Sequence, residues 1–479
     1  MSSSQVTLPY DLLFNIVDNA DPPTLRHLCL VSRELHGYAV HELYRHLRLD
    51  DAVRMIRCLE TLRDSTSLGA HVRSLHYKAP FLNPALGTGP IPPLLAPALR
   101  SMIGLRHLFL TSLMSVLEQN FKDTGTSFTS GVFDAIAGLA HLDDIEVGWL
   151  QSLTPLLPRL NPLKRLVFDA GNGINNYTHN PGLEHILRAS ADTLDELHLT
   201  GFGIISWLKK EPTLVFTRAT KLTLQFCDPL GMELVRAFPR VQRVLFFPSP
   251  IQPLSLFTEP TSFPELQILE LGVNEPEDFE GLTGGVGRAV ATVSIFDASK
   301  FTPSPELLDF LSLFNKDALR HLQLPSMGKD DQPATTVRTV LGLFPNLEFI
   351  CAKLPGAADV RSHPVLLVIL LSHLPDFLFG KASFAISAIF GHLQAPKLRG
   401  VSLRFNEDIP KLAQMLAPRL NDMRRGLSSL TFFELRSTSW LNNETMGQFR
   451  LVKGENGAER WSLQEGNRLP PPDEWSFRY

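Results

Sequence analysis

The four cysteines of this 479-residue chain, Cys29, Cys58, Cys227 and Cys351, lie too far apart to form a CxxC pair or any common zinc spacing. That excludes a disulfide framework and reads as buried thiols in a reducing compartment. A charge excess is also missing: 45 Lys and Arg stand against 49 Asp and Glu, a formal net charge of −4. The first eighty residues hold nine of each sign. No basic face is therefore expected, and neither nucleic acid nor membrane is expected as a partner. Long apolar runs are absent too. The most apolar one, VLLVILL at 365–371, is followed by Ser372 and Pro375, well short of the ~20 residues that span a bilayer. Residues 1–5 are polar, with no charged segment ahead of an apolar one. Secretion is disfavoured on that basis, and an intracellular place, cytoplasmic and/or nuclear, is expected.

Recognisable chemistry is equally scarce. No GxSxG, HExxH or GxxxxGK[ST] occurs. Gly285 and Gly287 make a GxG, but Val290 stands where a third glycine would be, so a loop is the reading. His36, His41 and His46 recur every five residues, which spreads them around a helix instead of gathering them on a metal. The pairs Asp143-Asp144 and Asp330-Asp331 point apart on a strand. No catalytic residue, metal site or cofactor is assigned.

What is present is ordinary globular material, 44% hydrophobic and 20% charged. The length exceeds a single compact core, so several domains or an elongated repeat are implied. Near the start, apolar residues fall at helical spacing in three sets: Leu12, Leu13, Ile16, Val17 and Ala20; Leu25, Leu28 and Cys29; Leu35, Ala39, Leu43 and Leu47. Three short helices are predicted within residues 1–50. Pro9 suits a first helical turn, and Asp21 before Pro22 is an N-cap followed by a first helical residue. A bundle this small has little interior and leans on a partner. Residues 51–70, containing AVRMIRCLETLRD, are predicted to form a linker helix.

The residues Leu8, Pro9, Asp11, Leu12 and Ile16, followed by Val31-Ser32-Arg33, resemble the F-box, the adaptor-binding module of cullin-type ubiquitin ligases. The continuation HELYRHLRL at 41–49 is similar to that of fungal members. Asp11 replaces the usual glutamate, Ala20 a larger apolar residue, and Leu35 a common tryptophan. The resemblance implies an SCF-type adaptor subunit as partner, contacted by Leu8, Pro9, Asp11, Leu12, Ile16, Leu25, Val31 and Ser32.

Beyond residue 71 a hexad recurs, with apolar residues at positions one, four and six. It appears as VRSLHY from Val72, LRHLFL from Leu105, LDDIEV from Leu142, LKRLVF from Leu163, LDELHL from Leu194, ATKLTL from Ala219 and VQRVLF from Val241. It continues as LQILEL from Leu266, VATVSI from Val290, LRHLQL from Leu319, LEFICA from Leu347, LRGVSL from Leu398 and LSSLTF from Leu427, with LPDFLF from Leu374 a looser match. Helix-like segments lie between, such as 304–317 and 410–420. One such unit buries about three aliphatic side chains at ~1.5–3 kcal/mol each, against ~1–2 kcal/mol per residue to order its backbone. It can fold only in a stack. The pattern resembles the leucine-rich repeat. The predicted fold class is thus α/β: a three-helix F-box, then an irregular leucine-rich-repeat-like solenoid over 71–453, a horseshoe with parallel strands on its concave face. The expected ladder residue after each strand occurs only as Cys227, Asn274 and Asn406. From 454 to 479 the repeat is lost, and a tail is predicted.

Strand alternation sends positions four and six to the core and positions three, five and seven to the concave face. This names His107 and Phe109, Asp144 and Glu146, Arg165 and Asp169, Glu196 and His198, Lys221 and Gln225, and Arg243 and Phe247 as candidate contacts to a protein substrate. Leu245, Phe296 and Phe349 add large apolar groups, as protein interfaces do. The expected function is substrate recognition for an SCF-type ligase, with no chemistry of its own. A non-ligase interaction scaffold and an enzyme with an unrecognised site are the alternatives.

Overall fold

The computed structural model describes residues 10–49, 52–77, 91–110, 127–147, 155–169, 180–228, 231–247, 255–258, 261–273, 287–297, 305–326, 333–353, 397–405, 429–430, 432–437, 446–453 and 459–466. The chain divides into two compact units. The first comprises Met1–Asp228 with Arg236–Pro239, the second Pro229–Val235 with Arg240–Tyr479.

The first unit opens with helices α1 (Tyr10–Asp18), α2 (Pro22–Leu28) and α3 (Arg33–Arg45). Each start has a physical cause. The Asp21 side chain accepts from the Thr24 amide at 2.9 Å, and Pro22 follows it. Ser32 accepts from the Leu35 amide at 3.2 Å. Capping an orphan amide in this way is worth about 1 kcal/mol. Val17, Leu25 and Ala39 form the small core between the helices, with Leu28, Leu35 and Leu43 packed around it.

Helix α3 runs straight into strand β1 (His46–Leu49). Then follow α4 (Ala52–Asp64), α5 (Thr66–Gly69), β2 (Ser74–Tyr77), α6 (Ile91–Ser101), β3 (His107–Phe109), α7 (Ser127–Ala137), β4 (Asp144–Val147), β5 (Arg165–Asp169), α8 (Pro181–Ala189), β6 (Glu196–Thr200), α9 (Ile204–Lys210) and β7 (Lys221–Gln225). Strands β1 to β7 pair in sequential order, all parallel. Helix α4 packs on α6, and α6 on α7, so the helices form their own layer.

The second unit repeats the scheme with β8 (Arg243–Phe247), β9 (Ile268–Val273), β10 (Thr292–Asp297), α10 (Pro305–Ser312), β11 (His321–Ser326), α11 (Pro333–Leu343), β12 (Phe349–Lys353), β13 (Gly400–Phe405) and β14 (Phe432–Ser437). These strands are again sequential and parallel. An antiparallel pair, β15 (Met446–Lys453) and β16 (Glu459–Gly466), closes the sheet on β14.

The hexad explains both units. Positions one, four and six are buried in repeat after repeat: Leu105, Leu108 and Leu110, then Leu194, Leu197 and Leu199, then Leu266, Leu269 and Leu271. The backbone carbonyl at position two accepts two amides from the next repeat. Arg73 O takes Arg106 N and His107 N at 2.9 and 3.0 Å, and Ala291 O takes Arg320 N and His321 N at 2.9 and 3.0 Å. This shared acceptor holds the turn before each strand in register without an asparagine ladder. Cys227 does bond the turning backbone, its Sγ lying 3.6 Å from Leu199 O. Asn274 and Asn406 lie outside the described residues.

Four expectations shift. Strand β1 belongs to the sheet although it falls within residues 1–50. Its sequence YRHLRL from Tyr44 is itself a hexad, and Arg45 O accepts Arg73 N at 2.9 Å. The last parallel strand starts at Phe432 and not near Ser429, because the buried first position is Leu430 in LTFFEL, three residues beyond the hexad chosen from Leu427. The boundary at 453 falls inside the β15–β16 hairpin, so part of the 454–479 tail is sheet. Within 304–317 the helix covers Pro305–Ser312. The segments 365–371, 374–379 and 410–420 lie outside the described residues, as do Gly285 and Asp330-Asp331. No described helix is long and apolar enough to cross a membrane.

Candidate protein-interaction surfaces

Two faces of α1 are apolar. Leu13 and Val17 point inward, while Leu12 and Ile16, one residue earlier in each turn, are 48% and 46% exposed. Tyr10 and Phe14 are exposed beside them. At the α2–α3 turn Leu30 and Val31 are 85% and 66% exposed. Six large apolar side chains thus face solvent within 22 residues of sequence, the pattern of an interaction patch. Asp11 sits exposed in the first turn of α1, where a carboxylate suits the helix dipole. Ser32 is engaged as the α3 cap. Leu25 is a correction: at 4% exposed it is part of the module's core and cannot meet a partner directly. Leu8 and Pro9 lie outside the described residues.

On the first unit's sheet, register aligns position three across repeats as Ser74, His107, Asp144, Arg165, Glu196 and Lys221. The charges alternate and pair. His107 Nδ1 is 3.2 Å from Asp144 Oδ2. Arg165 reaches Asp144 at 3.0 Å, Glu196 at 3.0 Å and Glu146 at 3.6 Å, and Lys221 reaches Glu196 at 3.3 Å. The Arg165 guanidinium also lies 5.6 Å from the Phe109 ring centroid, a cation–π geometry. Burial outweighs Arg165 and His107 at Asp144 and raises its carboxyl above the ordinary value. Glu196 is half-buried, which works to raise it, but Arg165 and Lys221 together lower it. Burial also depresses His198, against the pull of Asp169 and Glu146, and its Nε2 lies 3.4 Å from Thr200 Oγ1. Asp144 is buried, so it is a support of this face more than a contact on it. Gln225 and Lys221 stay partly or fully accessible on β7.

On the second unit's sheet, Arg243 holds Glu270 with two hydrogen bonds, 2.6 and 2.9 Å. Glu270 is 3% exposed, and its register neighbour Ser294 has a buried hydroxyl with no hydrogen-bond partner among the described residues. Phe247 stacks on Phe296, ring centroids 6.5 Å apart, across Gly272 of the strand between them. A Cβ at Gly272 would stand 1.8 Å from Phe247 Cδ1. The aromatic groups expected to be exposed here therefore pack on each other. Glu270, Ser294 and Gln323 were not singled out from sequence. Their signal was available, because each is the polar residue at position five of a hexad.

Elsewhere, Arg288 is buried and donates to the backbone carbonyls of Phe257, Ser262 and Phe263. Arg288 thus anchors the turn at Phe263, whose φ is +47°. No group of three metal-ligating side chains occurs among the described residues. The chain matches no model of a known protein family, and no curated protein is significantly similar to it.

Proposed function

We propose that this chain is a substrate-recognition subunit of an SCF-type cullin–RING ubiquitin ligase. In this reading α1 to α3 are an F-box that docks the adaptor subunit, and the leucine-rich-repeat-like units hold a protein substrate. The chain supplies proximity and orientation, while the partner ligase and its conjugating enzyme supply the chemistry. The observation that carries the reading is the outward face of α1 and the α2–α3 turn. Leu12, Ile16 and Val31, which bear the F-box resemblance, are exposed on a module that already has its own core. Fully burying such a side chain is worth about 1.5–3 kcal/mol.

The test is co-elution of the purified chain with the adaptor subunit on size exclusion. Leu12→Asp with Ile16→Asp should abolish it while leaving the circular dichroism spectrum and melting profile unchanged, since neither residue is in the core. Co-elution that survives this double change, and also Leu8→Ala with Pro9→Ala, would sink the reading.

A further inference from the structure

A cleft of about 530 Å³ opens in the first unit at the turns that precede β2, β3 and β4. Arg73, Arg106 and His141 line it, with Ile103, Gly104 and Ala140 forming its apolar wall. Arg73 and Arg106 occupy position two of successive hexads. In other repeats a cation at that position is paired: Lys164 with Asp143 at 3.3 Å, and Arg320 with Glu348 at 3.6 Å. Arg106 and His141 make no side-chain hydrogen bond or ion pair among the described residues. Arg73 is anchored on one nitrogen only, Nη1 donating to Ala70 O at 2.7 Å and Val72 O at 3.3 Å. That anchorage depends on Gly104, because a Cβ there would lie 1.9 Å from the same Nη1. The remaining guanidinium donors of Arg73 are thereby held in place without an acceptor among the described residues.

We propose that this cleft binds a phosphate monoester. Two guanidinium groups and an imidazole, with no carboxylate among the residues lining the cleft and the neighbouring Asp143 engaged by Lys164, match a tetrahedral group of charge about −1.5 to −2 better than a singly charged carboxylate, which one arginine satisfies. Guanidinium presents paired donors to two oxygens at once, and a pre-oriented one loses little freedom on binding. The ester is carried either by a phosphorylated side chain of a partner protein or by a small free phosphate ester. The site is separate from the helical module, so the inference stands whatever becomes of the adaptor reading.

The full-length chain should bind phenyl phosphate saturably in a calorimetric titration. Arg106→Ala, an exposed change that leaves the fold intact by circular dichroism, should weaken this about tenfold or more. Gly104→Ala should weaken it as well, by displacing Arg73 while keeping its charge. Tighter binding of a phosphoserine peptide than of phenyl phosphate assigns the ester to a partner protein, and equal binding assigns it to a small molecule. The proposal is overturned if the native chain binds no phosphate monoester, if Arg106→Ala binds as well as the native chain, or if a glutamate peptide binds as tightly as the phosphoserine one.

Discussion

Arg165 sits at the centre of a small electrostatic system in which three carboxylates share one guanidinium. Its two closest neighbours respond to pH in opposite senses. Asp144 is raised, so the folded state binds its proton more readily than the unfolded chain. Its contribution is present in acid and lost as pH rises through the folded pKa. Glu196 is lowered, so its contribution is present above the unfolded pKa and lost as pH falls through the folded one. Relative to the native chain, Asp144→Asn should be tolerated better at pH 7 than at pH 3, and Glu196→Gln worse at pH 7 than at pH 3. Urea midpoints at the two pH values measure both, and the same sign of change for the two variants would contradict the assignment. The positions of these residues were legible in the sequence, because a period of two decides which side of a strand a residue takes. Their mutual pairing was not. It depends on which repeats stand side by side and on a register set by the turns, and no single hexad carries that information.

Among the elements, β9 has a glycine where its neighbours have phenylalanines, and the stack of Phe247 on Phe296 passes over it. Gly272→Ala should therefore destabilise the chain by about 1–3 kcal/mol through overpacking. In Phe247→Ala the obstruction is gone, so adding Gly272→Ala to that variant should cost much less. A double-mutant cycle on chemical denaturation reads this coupling, and strict additivity would refute it. The strands themselves were readable wherever the hexad was intact, since leucine, valine and isoleucine at positions one, four and six have no other stable placement. The pattern is ambiguous at two places. YRHLRL begins with a tyrosine inside a helical pattern, and LSSLTFFEL offers two overlapping hexads between which only burial of Leu430 decides. The closing hairpin is antiparallel and follows no repeat, so the hexad carries no information about it. At the helical module, the apolar spacing identified Leu25 without revealing whether it pointed inward or outward.

At the scale of the whole chain, a stacked sheet must end somewhere, and an unpaired edge strand is a template for another chain. In the second unit β15 and β16 meet β14 antiparallel and terminate the parallel stack. A chain cut after residue 443 should self-associate at concentrations where the full chain does not, as light scattering would show. Equal behaviour of the two would mean that the hairpin is dispensable as a cap. The N-terminal part of the first unit is built differently. Helix α3 ends at Arg45 and β1 begins at His46, with no residue between them, and α3 also packs against α5. At 1.5 Å per residue its 13 residues make a strut about 20 Å long. A flexible tether would let a molecule grasped by the helices sweep through a volume around the sheet. In the proposed reading, a strut joined without a joint would instead fix that molecule's distance and heading, so the first strands and the exposed apolar helix face would serve as the two marks of one ruler.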